Sequence, residues 1–201
     1  MPQRTDKKTI CLNMIVKNEA AIIRDTLENI IAHIPLDYYV ISDTGSDDNT
    51  AEIIEQFFAE KGIPGEIHHD EWVNFAHNRN CALQHAQGKA DYVLIFDADD
   101  RFEGKFSLPE ELIYDCYYLR MANAVSGSNV YFRPLIFTND GGFRWRGVLH
   151  EFIEQLKTTI VTKNLTGEYY VASGRFGARS QNPQKYLHDA QMLEKAFYSP
   201  E

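Results

Sequence analysis

The sequence predicts an α/β fold: a mostly parallel sheet with helices on both faces, followed by a smaller antiparallel or mixed region and a C-terminal helix. Three observations carry that prediction. Strand-like apolar runs alternate with segments of helical spacing through the first half of the chain, the pattern of successive βα units. Two of the runs are apolar without alternation, as strands covered on both faces are. Polar and acidic residues gather where the runs end, and ligands in such sheets sit at the carboxyl ends of the strands.

Residues 9–16 form the first apolar run. Ile23, Leu27, Ile30, Ile31 and Ile34 then recur at steps of three and four, with Asn18 as the expected N-cap and Pro35 as the stop. A second strand is expected over 38–42, and the polar loop from Asp43 to Thr50 leads into a helix carrying Ile53, Ile54, Phe57 and Phe58, closed by Gly62. A short strand at 66–68 precedes a third helix over 76–87, stopped by Gly88. Residues 92–96 read as a buried strand that runs directly into Asp97-Ala98-Asp99-Asp100.

Beyond residue 105 the texture becomes aromatic and alternating. Segments 114–121, 129–137 and 143–147, the last following the turn Asn139-Asp140-Gly141-Gly142, read as antiparallel strands and hairpins. Residues 174–183 form a Gly/Arg/Ser/Asn loop, and 184–198 regain helical spacing in Leu187, Ala190, Leu193 and Phe197. We therefore expect one domain over 1–201 with three parts: 1–104, 105–173 and 174–201.

The bulk numbers exclude several classes. A net charge of −9 without any Lys/Arg-rich run argues against nucleic-acid binding. No stretch approaches the roughly 18 apolar residues a membrane span needs, and the polar first eight residues lack a signal peptide's apolar core, so a cytoplasmic location is expected. Three scattered cysteines, Cys11, Cys81 and Cys116, suit neither a disulfide framework nor a zinc site. No Gly-x-Gly-x-x-Gly follows a strand, which removes a dinucleotide oxidoreductase.

Carboxylates crowded at a strand end repel one another, and a divalent cation is the usual way to neutralise them. Asp97 and Asp99 are two apart, so in extended geometry both point to the same side, where they could grip one ion or divide between an ion and a hydroxyl. Asp43, at the preceding strand end, places a further acid on the same rim.

Four segments in order, Ile15-Val16-Lys17-Asn18-Glu19, Asp43 to Thr50, Ala76-His77-Asn78-Arg79-Asn80-Cys81-Ala82-Leu83 and Leu94-Ile95-Phe96-Asp97-Ala98-Asp99-Asp100, resemble the family 2 glycosyltransferases of the GT-A fold. The resemblance implies a Rossmann-type, nucleotide-sugar-binding first half, an acceptor-side second half, and metal-dependent transfer with inversion from a UDP-sugar to a glycan, lipid-linked or protein acceptor. It implies that Asp43 reads the base, with Val16 and Glu19 lining the same pocket, that Arg79 sits near the nucleotide, that Asp97 faces the ribose or shares the metal, and that Asp99 is the direct ligand of Mn2+ or Mg2+. Thr44 stands where the family's loop usually carries a second acid.

Trp145-Arg146-Gly147-Val148-Leu149-His150-Glu151 resembles a Trp-containing segment ending in His-Glu found in one branch of the family. The resemblance implies Glu151 as the general base, with His150 as a further metal ligand or as its orienting partner; Asp140 is the alternative base, although its turn explains it equally well. Arg175, Arg179 and Lys185 could close over a diphosphate or simply form a basic connector. Residues 174–196 resemble the junction at which some members pass into helical repeats, which implies a longer parent chain. Two rival readings remain at this level. One is a nucleotide-sugar-binding module without turnover; the other is a haloacid-dehalogenase-type phosphatase, disfavoured by Arg101 where Thr or Val would stand and by the mid-chain position of the acidic motif.

Overall fold

In the computed structural model, residues 7–123, 130–174 and 177–198 are described. The first half consists of β1 (Ile10–Val16), α1 (Ile23–His33), β2 (Tyr38–Asp43), α2 (Thr50–Lys61), β3 (Gly65–His69), α3 (Phe75–His85) and β4 (Tyr92–Ile95). These strands lie in the order β3-β2-β1-β4, every pair parallel.

β1, β2 and β4 are covered on both faces, and the pleat sends alternate residues to opposite sides. Leu12, Met14, Ile41 and Leu94 pack with Ile23, Leu27 and Ile30 of α1 and Phe57 and Phe58 of α2. Their neighbours Cys11, Val40, Val93 and Ile95 pack with Ala76 and Leu83 of α3. Each such fully buried Leu, Ile or Phe contributes roughly 1.5–3 kcal/mol relative to exposure, so the apolar runs are what fix the sheet between its helices. Gly62 closes α2 in the left-handed region at φ 68°, the conformation glycine adopts without strain.

The second half extends this sheet instead of standing apart from it. Its elements are β5 (Arg101–Gly104), β6 (Cys116–Asn123), β7 (Tyr131–Thr138), β8 (Phe143–Arg146), β9 (Phe152–Gln155), β10 (Thr162–Asn164), β11 (Tyr169–Ser173), α4 (Ala178–Gln181) and α5 (Lys185–Tyr198). β7 pairs antiparallel with β4, and the sheet continues through β6 and β11 to β5, with β10 also on β6. β8 and β9 make a separate hairpin, whose Phe143 and Trp145 join the core on the α3 side. Among the described residues, no helix is long and apolar enough to cross a membrane.

Two local expectations need correction. Asn18 does not cap α1: the residue before the helix is Ile22, and Asn18 instead takes a left-handed conformation at φ 57°. The short strands β5, β9, β10 and β11 escape the sequence pattern because three to five residues are too few to show a clear alternation.

Candidate functional site

The carboxyl ends of β1 and β2 are laced together by their own polar side chains. Asp43 Oδ1 accepts the amides of Gly45 (3.1 Å) and Ser46 (2.8 Å), which closes the turn after β2. Ser46 Oγ accepts the Asn18 amide, Asn18 Oδ1 accepts the Asp47 amide, and Thr50 Oγ1 accepts the Glu19 amide. The polar motif from Asp43 to Thr50 thus holds residues 18 and 19 in place. Thr44 joins in, donating its amide and its hydroxyl to Val16 O.

The acidic loop after β4 is pinned from α1. Thr26 Oγ1 donates to Ala98 O at 2.6 Å, while Asn29 exchanges two hydrogen bonds with the backbone of Phe102. Held between those anchors, Asp97, Asp99 and Asp100 have different fates.

Asp97 is taken up by guanidinium groups: Arg79 donates to Oδ1 at 2.6 Å, and Arg133 on β7 approaches Oδ2 at 3.4 Å. Burial alone would raise the Asp97 carboxyl, but the two arginines outweigh it and hold its pKa below the ordinary carboxylate range. Arg79 also donates from Nε to Glu151 Oε1 at 2.8 Å and lies 4.9 Å over the Trp145 ring. Burial works against its charge, yet Asp97 and Glu151 together keep Arg79 firmly protonated. Among the described residues no donor reaches Glu151 Oε2.

Among the described residues Asp99 and Glu19 have no cationic partner of this kind, and they converge on the start of α4. Ala178 N donates to both Glu19 oxygens (3.2 and 3.3 Å), and Gly177 N reaches Asp99 Oδ2 at 3.4 Å. A Cβ on Gly177 would stand 3.0 Å from Glu19 Oε1 and 3.2 Å from Asp99 Oδ2, so the two carboxylates flank this one backbone position. Burial first, and then the charges of Asp99 and Asp48, push the Glu19 carboxyl up to about 7. Burial and then Asp97 raise Asp99. Burial and then Asp97 also raise Asp100, well above the ordinary range; it is 2% exposed and accepts from Gly174 N at 3.4 Å.

Beside Glu19 opens a cavity of about 380 Å³. It is lined by Ile15, Val16 and Thr44, by the aromatic rings of Trp72 and Phe75, and by Arg179 of α4 with Lys185, His188 and Met192 of α5. Arg179 stacks 4.8 Å over Phe75 and pairs with Asp189.

The structure therefore gathers the sequence candidates into two groups: Arg79, Asp97 and Glu151 in one ion network, and Val16, Glu19 and Arg179 around the cavity, with Asp99 beside Glu19. Asp43 is 3% exposed, gives Oδ1 to its own turn while Oδ2 lies 3.9 Å from His69 Nδ1, and is outside the cavity lining. His150 is exposed, at φ 56°, and makes no hydrogen bond to Glu151 among the described residues. Asp140 lies at the far end of the sheet, where the neighbouring Asn139 amide bonds Asp91 O just before β4 begins, and it pairs with Lys157; that location rules it out as the alternative base. Arg175 lies outside the described residues. Arg133 was missed in the sequence, where it shows as one cation inside an apolar strand; of the α5 lining only Lys185 was singled out, and His188 and Met192 were missed because their contacts depend on how the helix folds back.

Among the described residues no three His, Cys, Asp or Glu side chains form a self-contained metal site. A magnesium-type site completed by a ligand's own phosphate oxygens needs only one or two carboxylates, and Asp99 with Glu19 fits that requirement.

Residues 11–112 match the sequence family described as glycosyl transferase family 2. Among solved structures, TarS 1–349 from S. aureus in complex with UDP-GlcNAc is similar at a TM-score of 0.58 and 15% identity, covering 96% of this chain and 68% of that one. The UDP complex of the same protein gives 0.57 at 16% identity, covering 96% and 72%. These likenesses show the fold. The mannosyltransferase PcManGT from Pyrobaculum calidifontis, in complex with GDP-Man and Mn2+, is 25% identical over 50% of this chain and 30% of its own, with a TM-score of 0.43.

Proposed function

The chain belongs to glycosyl transferase family 2, and on that premise we propose that it transfers a sugar from a nucleotide diphosphate donor to an acceptor hydroxyl with inversion at the anomeric carbon. Uridine is the base that the sequence resemblance implies. The observation that carries the reading is the juxtaposition of two acids without a cationic partner among the described residues, Glu19 and Asp99, with a cavity lined by aromatic rings and cations.

In this reading the nucleoside lies in the cavity against Trp72 and Phe75, and Arg179 and Lys185 offer cations to the diphosphate. Asp99, with Glu19 beside it, would hold Mn2+ or Mg2+, which when bound neutralises charge on the departing diphosphate. Glu151 takes the acceptor's proton on Oε2 as the hydroxyl oxygen bonds to the anomeric carbon; the bond from that carbon to the phosphate oxygen breaks, and the nucleoside diphosphate leaves with its electron pair. Arg79 holds Glu151 through Oε1 and so orients the free oxygen.

The test is a thermal-shift panel of nucleotide sugars with and without Mn2+, followed by assay of free nucleotide diphosphate. A bound donor at a hundredfold excess over its dissociation constant should stabilise the fold by about 2.7 kcal/mol. If no nucleotide sugar stabilises the protein with metal present, the proposal fails; binding without any donor hydrolysis or transfer would leave a binding module.

A further inference from the structure

Among the described residues the β8–β9 hairpin carries no ladder to the main sheet, yet Glu151, the residue before β9, meets Arg79 of α3 within a hydrogen bond. Something has to set where the hairpin sits. The amide of Asn80 does so by geometry: its Nδ2 donates to Trp145 O at 3.0 Å, and its Oδ1 accepts from Trp145 N at 2.8 Å. One side chain thus takes both outward backbone groups of a single strand residue, as a neighbouring strand would, and together with the Phe75 amide on Val148 O (3.4 Å) it ties the hairpin to α3.

The consequence follows along the strand. With Trp145 fixed by Asn80, its indole lies under Arg79, 4.9 Å from the guanidinium carbon, and is 4% exposed with Nε1 unpartnered. Arg146, one residue on, pairs with Phe152, which places Glu151 at the mouth of the hairpin facing Arg79. A slip of one residue would turn Trp145 outward and carry Glu151 away. We propose that Asn80 is a positioning residue for sugar transfer, setting the register of the β8–β9 hairpin on α3 and, through it, the location of Glu151. This rests on the reading of Glu151 as the base.

Asn80 lines no part of the cavity, so Asn80→Ala should leave donor affinity unchanged while lowering the transfer rate on the order of 10²-fold, the scale of a misplacement of about 1 Å. The decisive measurement is a double-mutant cycle with Glu151→Gln on the transfer rate. If Asn80 acts by placing Glu151, Asn80→Ala costs little more once Glu151→Gln is present. Losses that multiply in the double variant overturn the proposal, because a general loosening would act in either background.

A second readout is independent of turnover. In a Trp72→Phe background Trp145 is the remaining tryptophan, and Asn80→Ala should move its emission to the red as the ring gains solvent. Unchanged emission together with an unchanged rate also overturns the proposal. Should Glu151→Gln alone leave transfer intact, the base assignment fails by itself, and the emission measurement still decides whether Asn80 seats the hairpin.

Discussion

Arg79 donates Nε to Glu151 Oε1 at 2.8 Å across 72 positions of sequence, and so joins a helix of the first half to a hairpin of the second. With its other arm on Asp97, it is the bridge through which the proposed base and the acidic strand end share one charge network. Removing one partner of a buried ion network leaves the others uncompensated, typically at about 3–5 kcal/mol. We expect Arg79→Ala to lose stability on that scale, and Arg79→Lys to recover only part of it, because an ammonium cannot reproduce the fork. Urea unfolding checks this; an unchanged midpoint for Arg79→Ala would contradict the bridge.

Asp99 is expected to behave in the opposite way. Burial and the Asp97 charge disfavour its ionised form, so Asp99→Asn relieves repulsion and should leave thermal stability equal or higher near neutral pH. The same change should abolish metal-dependent donor binding. A variant that binds donor with the wild-type manganese dependence removes Asp99 from the metal site.

Glu19 gives a pH prediction. Its folded pKa, pushed up to about 7 from 4.5 by burial and neighbouring acids, means that the folded state binds this proton more tightly than the unfolded chain does. The stability linked to it is fully present below about pH 4.5 and is lost as pH rises through 7. In metal-free buffer with a chelator, Glu19→Gln should flatten the fall in unfolding free energy across that window. Parallel curves for the two proteins would show that Glu19 does not titrate there.

For Glu151 the expectation separates binding from chemistry. Glu151→Gln keeps the shape but cannot accept the proton, so donor affinity should persist while transfer falls by roughly 10²–10⁴-fold. Single-turnover assays with saturating donor measure this directly, and a rate within a few-fold of wild type would falsify the base assignment.

Asp43 is tied to its own turn by two charge-assisted hydrogen bonds, so Asp43→Ala should cost about 1.5–3 kcal/mol per such bond at most. If it also reads the base, metal-free nucleotide affinity should fall in Asp43→Asn, which keeps one acceptor oxygen for the turn. Equal affinity in that variant would confine Asp43 to the loop.

Much of this was legible in the sequence because it depends on short-range pattern. Apolar runs such as residues 92–96 must be covered on both faces, helical spacing set α1 and α2, and acids at strand ends mark a rim whatever the tertiary details. Other features depend on which groups meet, and pattern does not record meetings. Asp97 and Asp99 look alike in the chain, yet two guanidiniums, one of them Arg133 from β7, claim the first and, among the described residues, leave the second without a cation. Asn18 read as a cap and became a loop clamp because Ser46 and Asp47 stood opposite it. The sequence by itself determined the layered sheet and the acidic rim, since burial and backbone periodicity are local constraints. Only the tertiary structure decided which acids are free, which are paired, and where Glu151 sits, because electrostatic pairing and hairpin register arise between residues as distant as 72 positions.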